Sequence, residues 1–199
     1  MRSSAADDEV MPFCAENDGR TEPLASARGQ YILDEEEWIM QIRRAEAKDL
    51  PEVKALLDQV DMVHHNGRPD IFKIGRKYDD EQLLALFKND NRPIYVAVGE
   101  DDRAMGYVFC IYIQHPEDNV LTDIKTLYID DFCVFEKYRG KGIGHALYQH
   151  VLQVAKDNGC YNVTLHVWEC NPAAMKFYKS LGMEPLKYEL ETKLQYSPL

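Results

Sequence analysis

Paired cysteines are missing from this chain. The five it has, Cys14, Cys110, Cys133, Cys160 and Cys170, are scattered without a Cys-x-x-Cys spacing. That pattern excludes a zinc ribbon and a disulfide scaffold, so no metal is expected. No apolar run approaches the roughly 20 residues that cross a bilayer, and no charged-then-apolar leader pattern opens the chain. A cytoplasmic protein without a membrane partner is the expectation. A basic stripe, or Lys and Arg interleaved with aromatics, is also absent, which argues against a nucleic-acid partner. The nucleotide loop Gly-x-x-x-x-Gly-Lys-Ser/Thr does not occur either.

What is present in excess is negative charge, and it is unevenly spread. Residues 1–37 hold ten acidic and three basic side chains, a net of −7; the other 162 residues hold 24 and 20, a net of −4, within the total of −11. The first 30 or so residues are poor in large apolar side chains and cannot bury enough surface to offset the entropy of ordering. Residues 1–37 therefore read as an acidic, flexible N-terminal extension, and 38–199 as one domain. Tyr31 to Trp38 brackets an acidic run and reads as a solvated linker, with a docked short helix as the alternative. The domain itself is only mildly acidic, so overall charge does not select a polycationic substrate.

The domain is organised around residues 126–157. Thr126 to Val134 is rich in β-branched and aromatic residues and reads as a buried strand. Val134-Phe135-Glu136-Lys137-Tyr138-Arg139-Gly140-Lys141-Gly142-Ile143-Gly144 follows, and Leu147, Val151, Leu152, Val154 and Ala155 then recur at helical spacing until Asn158-Gly159. Strand, glycine-rich loop and helix in that order suit an anion such as a pyrophosphate, because glycines admit close backbone approach and the helix start presents unpaired N–H groups. The spacing departs from Gly-x-Gly-x-x-Gly directly after a strand, so a dinucleotide fold is not indicated.

Around this unit the chain reads as follows. Ile39 to Ala45 alternates as a first strand. Asp49-Leu50-Pro51-Glu52 opens a helix carrying Val53, Leu56, Leu57 and Val60, and Asp79-Asp80-Glu81 opens a second carrying Leu83, Leu84, Leu86 and Phe87. The polar and aromatic stretch Asp61 to Phe72 between them reads as a loop. Arg92 to Glu100 and Ala104 to Gln114 are strands joined by a turn; Tyr161 to Val167 is another. A helix follows from Asn171, and Pro185 to Leu194, with alternating Leu186, Tyr188, Leu190 and Thr192, reads as a last strand or strand pair. This order implies an α/β fold with a mixed sheet and helices on both faces, distinct from a doubly wound sheet.

Arg139, Gly142 and Gly144 resemble the Arg/Gln-x-x-Gly-x-Gly/Ala loop of the GCN5-related N-acetyltransferases. Asn171-Pro172-Ala173-Ala174-Met175-Lys176-Phe177-Tyr178-Lys179-Ser180-Leu181-Gly182-Met183 resembles that family's Asn-x-x-Ala-x-x-Phe-Tyr-x-x-x-Gly-Phe segment. Leu127 to Val134 followed by Tyr138 to Gly144 looks like the same stretch in spermidine/spermine and related diamine acetyltransferases. The resemblance covers about residues 40 to 194 and implies a mostly antiparallel sheet with a splayed, bulged central strand.

It also implies acetyl-CoA as co-substrate. The amides of Arg139, Gly140, Lys141, Gly142, Ile143, Gly144 and His145 would hold its pyrophosphate. Backbone groups of Phe132, Cys133 and Val134, with Asn171, would meet the pantetheine, and Tyr178 would protonate the leaving sulfur. The acceptor would be a small-molecule primary amine (polyamine, diamine or amino-acid-like), deprotonated by Asp130, attacking directly in a ternary complex; a homodimer is the family's habit. A protein or peptide N-terminus is the alternative acceptor, and a non-catalytic acetyl-CoA sensor the alternative to an enzyme.

The residues give their own reasons beside these. Asp130-Asp131 inside an apolar strand is costly to bury, so at least one should face a polar cavity or a cation. Successive strand residues face opposite ways, so only one can look into a cleft unless a bulge intervenes. The alternative is that the doublet pairs with Arg or Lys from a neighbouring strand. Asn171 before Pro172 reads equally as a helix N-cap, and Cys133 as a small inert core residue. His64 and His65 titrate near neutrality and are candidate acceptor contacts, although a tandem His pair is commonly just polar surface.

Overall fold

The computed structural model describes residues 30–33 and 38–194 of the chain. One sheet has six strands in sequence order: β1 (Gln30–Leu33), β2 (Trp38–Arg44), β3 (Ile94–Val98), β4 (Ala104–Ile113), β5 (Thr126–Val134) and β6 (Asn162–Leu165). All neighbours are antiparallel except β5 and β6, which are parallel. A parallel neighbour needs a crossover, and α3 (Ile143–Asp157) supplies it. The remaining helices are α1 (Leu50–Gly67) and α2 (Asp80–Phe87), between β2 and β3, and α4 (Pro172–Ser180), after β6.

The helices divide the core between the two faces of the sheet. Leu147 and Val151 of α3 pack with Met40, Ile42, Val108, Leu127 and Ile129. On the other face Val53, Leu56 and Leu57 of α1 and Leu83 and Phe87 of α2 pack with Ile94, Val96 and Tyr107. This is the two-layered covering that the order of elements implies.

Three local readings need correction. The helix expected to end near Val60 continues to Gly67, where the Arg68 N–H bonds to the His64 carbonyl. Asp58 to Asn66 contains no helix breaker, so its polar residues form the exposed face of a continuing helix. Pro185 to Leu194 is not a strand: it pairs with no strand among the described residues, and Leu186, Tyr188 and Leu190 are exposed. Instead Glu191 and Lys193 are held by Arg68 (2.8 Å) and Asp70 (3.2 Å) beyond the end of α1. Alternation alone does not make a strand without a backbone partner. Finally, Tyr31 to Leu33, read as linker, lies in β1 against Trp38 to Met40. The rest of the acidic extension falls outside the described residues.

The first turn before α1 rests on one buried ion pair. Asp49, 2% exposed, takes a bidentate bond from Arg43 (2.7 and 2.9 Å) and accepts the Glu46 N–H (2.7 Å). Arg43 is shared with Asp102. Asp49→Ala strands a largely buried guanidinium and should cost about 3 kcal/mol of unfolding free energy. Urea denaturation measures this; a loss within experimental error of zero would show that Asp102 alone suffices.

Candidate active site

The site begins with a mismatch of one residue between two strands. Phe109 pairs with Asp131 and Cys110 with Ile129, so Asp130 is the extra residue of a bulge in β5. The bulge inverts the alternation of the strand. Leu127 and Ile129 belong to the core on the α3 face, whereas Cys133 belongs to the core on the α1 and α2 face, and Phe132 and Val134 pack on the α3 side. Asp130 and Asp131 therefore both turn toward the loop between α1 and α2.

There they meet a compact polar group. Lys77 Nζ lies 3.1 Å from Asp130 Oδ2 and 4.0 Å from Asp131 Oδ2, and Arg92 Nη2 lies 3.6 Å from Asp130. The Tyr78 hydroxyl donates to Asp130 (3.2 Å), and the buried Tyr107 hydroxyl donates to Asp131 (3.1 Å). The Lys77 N–H is held by Asp61 at 3.1 Å. The doublet thus does pair with cations, but Lys77 comes from a loop and Arg92 from the residues just before β3.

Burial sets the electrostatics. The Asp131 side chain is 7% exposed, and burial pushes its carboxyl up to about 6 despite Lys77 and the Tyr107 hydrogen bond, which pull it down. Asp61 is raised by burial as well. Burial pulls Lys77 down, but Asp131 and Asp130 together outweigh it, and its net shift is upward. His64 beside Asp61 is lowered by burial.

A second feature lies along the same strand. Pairing with β6 ends at Ile129 and Leu165, while β5 continues to Val134. Beyond Asp130 the strand has no neighbouring strand on that side among the described residues, so the sheet opens along Phe132 and Cys133. The Val134 carbonyl is already engaged, by Gln59 Nε2 at 3.1 Å and Arg139 Nε at 3.3 Å. Cys133 is buried, with its thiol pushed up to about 12 by burial, which suits an inert core residue and not a nucleophile.

The loop after β5 has the form expected of an anion cradle. Gly140 and Gly142 hold φ of 76° and 78°, and Gly142 caps α3. The first helical bond is Ala146 N–H to the Gly142 carbonyl (3.0 Å), so the amides of Ile143, Gly144 and His145 have no intrahelical acceptor. Lys141 stands between the two positive-φ glycines, and the His145 ring contacts Gln149 (3.3 Å). Gly144 has a different reason to be glycine: a Cβ there would lie 3.1 Å from Phe177 Cζ.

Phe177 and Tyr178 of α4 reach the splayed strand through Phe132, with ring centroids at 5.7 and 6.2 Å. Burial drives the Tyr178 hydroxyl well above its ordinary range, and the nearby Asp131 and Cys133 add to the shift. Asn171 accepts the Ala174 N–H at 3.1 Å, so it caps α4. Of the two histidines, His65 Nδ1 is tied to the Phe72 backbone carbonyl (2.8 Å), while His64 stacks on Phe72 (5.0 Å), which meets Trp168 edge-on. Only His64 borders the acidic group.

Sequence reasoning missed Lys77, Tyr78, Arg92 and Tyr107. Tyr107 reads as core in an apolar strand, and Lys77-Tyr78 as loop residues ahead of the Asp79 cap. Nothing in their spacing ties them to a doublet 24 to 53 positions later.

The chain is similar to known proteins in sequence and in fold. The pattern of the acetyltransferase (GNAT) family matches residues 60–183. Thialysine N-epsilon-acetyltransferase of Bos taurus is 40% identical over 62 residues, 31% of this chain and 36% of that protein. N-alpha-acetyltransferase 50 of Danio rerio is 34% identical over 97 residues, 48% of this chain and 52% of that protein. The chain thus spans about a third to a half of the length of these curated relatives. A crystal structure of the BH1408 protein of Bacillus halodurans is similar with a TM-score of 0.74 and 31% identity, covering 77% of this chain and 98% of that one.

A raised carboxyl makes a pH prediction. Asp131 binds its proton more tightly in the folded chain, about 6, than in the unfolded one, about 3.9. Its contribution to stability is therefore fully present below the unfolded value and lost as pH rises through about 6. Asp131→Asn should gain stability relative to wild type across pH 4 to 6 and hold that gain above it. Paired denaturation curves over this range test the sign; a gain that shrinks with rising pH would contradict it.

Proposed function

Because the chain belongs to the acetyltransferase (GNAT) family, we propose that it is an acetyl-CoA-dependent N-acetyltransferase whose acceptor is the primary amine of a small molecule, a polyamine, diamine or amino-acid-like compound. The observation that carries this reading is the pair Asp130 and Asp131 turned to one face, on a strand that pairs with no further strand beyond Ile129 on its β6 side among the described residues. A relative named for acetylating the ε-amine of thialysine supports an amine on a flexible alkyl stem.

The residues fit acetyl-CoA as co-substrate. The positive-φ glycines and the amides of Gly142, Ile143, Gly144 and His145 suit its pyrophosphate, with Arg139, Gly140 and Lys141 completing the loop. The edge of Phe132, Cys133 and Val134 suits the pantetheine, and the Asn171 amide nitrogen, not used in capping α4, can donate to it. Acetyl-CoA supplies an activated acetyl thioester. The chain supplies the rest. Asp130 and Asp131 bind the acceptor's ammonium and take its proton; a carboxyl near 6 is matched to that task at neutral pH. Tyr178 keeps its own proton until the departing sulfur needs it. Binding both reactants before transfer, without an acyl-cysteine, follows from the inert Cys133.

A peptide N-terminus is the runner-up acceptor, supported by the relative named for α-acetylation. No helix among the described residues is long and apolar enough to cross a membrane. A homodimer in the cytoplasm remains part of the proposal, as does an accessory acidic extension ahead of β1.

Thiol release from acetyl-CoA against polyamines, diamines, amino acids, aminoglycosides and short peptides tests the proposal. Turnover is expected with a compound carrying a primary amine on an alkyl chain. Tyr178→Phe and Asp131→Asn should each lower kcat by about 10²- to 10⁴-fold. Full activity in both variants across a pH series would remove their assigned roles, and acetyl-CoA binding without any turnover would favour the sensor reading.

A further inference from the structure

Lys77 sits where the proposed reaction needs its acceptor. Its ammonium rests on both carboxylates, 3.1 Å from Asp130 and 4.0 Å from Asp131. A lysine side chain is a primary amine on a flexible alkyl stem, which is the substrate chemistry that two carboxylates and flanking tyrosines would select. The backbone carrying it is fixed on both sides. Asp61 holds the Lys77 N–H (3.1 Å), Arg76 is forked onto Asp58 (2.8 and 2.9 Å), and Asp79 caps α2 through Gln82 (2.8 Å). These tethers hold the reacting group at the site and leave the four-carbon stem free to move. The residues that follow the carboxylates in β5 are Phe132 to Val134, whose open edge is the proposed pantetheine track.

Resting on the reading above, we infer that Lys77 is itself an acetyl acceptor: with acetyl-CoA bound and no free amine present, the chain acetylates its own Lys77 Nζ. The ammonium gives one proton to the Asp130–Asp131 pair. The Nζ lone pair attacks the acetyl carbonyl carbon, the N–C bond forms and the C–S bond breaks. The sulfur leaves with the Tyr178 proton, which the phenolate regains from the nitrogen's second proton. Ammonium and thioester become amide, thiol and one proton released to water. The resulting acetamide is neutral and no longer competes for the carboxylates, so the modified chain leaves Arg92 as the remaining cation beside Asp130 and opens the place of the Lys77 ammonium to an external amine.

The test incubates the purified full chain with acetyl-CoA alone and maps acetylated peptides by mass. Label is expected on Lys77 at about tenfold or more above exposed lysines such as Lys88, because the site holds it at high effective concentration. The rate per chain should not change on dilution, and Asp131→Asn and Tyr178→Phe should both suppress it. Lys77→Arg should remove the label without moving it to Lys73. Thiol release with a diamine is followed in the same preparation. Diamine turnover with Lys77 labelled no faster than exposed lysines overturns this inference and leaves the proposed function standing. Neither turnover nor label overturns both. Label that requires a second molecule, and so slows on dilution, also overturns the in-cis assignment.

Discussion

The bulge at Asp130 is the constraint on which the rest depends. A regular β5 would send Asp130 and Asp131 to opposite faces, one of them into the packed core beneath α3. The extra residue places both on the α1 and α2 face. Just beyond it β5 parts from β6. One irregularity thus marks both the polar group that can handle an amine and the unpaired edge that can receive an extended ligand.

Two carboxylates side by side and nearly excluded from water are unfavourable without compensation. Lys77, Arg92, Tyr78 and Tyr107 supply it. The compensation is incomplete at Asp131, where burial outweighs its partners. The ion pair before α1 looks different: Arg43 and Asp49 meet in a bidentate bond. The doublet is held by single bonds from side chains on three separate elements, an arrangement that a competing cation can rearrange.

How far the molecule was legible beforehand followed the range of each interaction. The strand from Thr126 to Val134 and the helix starts at Asp49, Asp79 and Asn171 are written in local pattern, through β-branched runs, caps and prolines, and the structure has them there. The last turns of α1 were hidden because polar side chains on an exposed helix resemble a loop. The alternation after Pro185 misled for the converse reason, since a strand exists only by virtue of its neighbour. At the site, the acidic doublet was visible as an anomaly within its own strand. Its partners were not: Lys77, Arg92 and Tyr107 come to it from the loop between α1 and α2, the approach to β3, and β4, and no local rule records that convergence.

The glycine at 144 shows that a residue in the first turn of one helix can be conscripted by another. It is bare because the Phe177 ring presses against it, and that ring also touches Tyr178 and Phe132. The two ends of any molecule stretched from the loop to Tyr178 are thereby gauged against each other, as by the jaws of a caliper with Phe177 as its bar. The spacing between the two helices sets the jaw width, and added bulk at Gly144 would be felt at the far jaw.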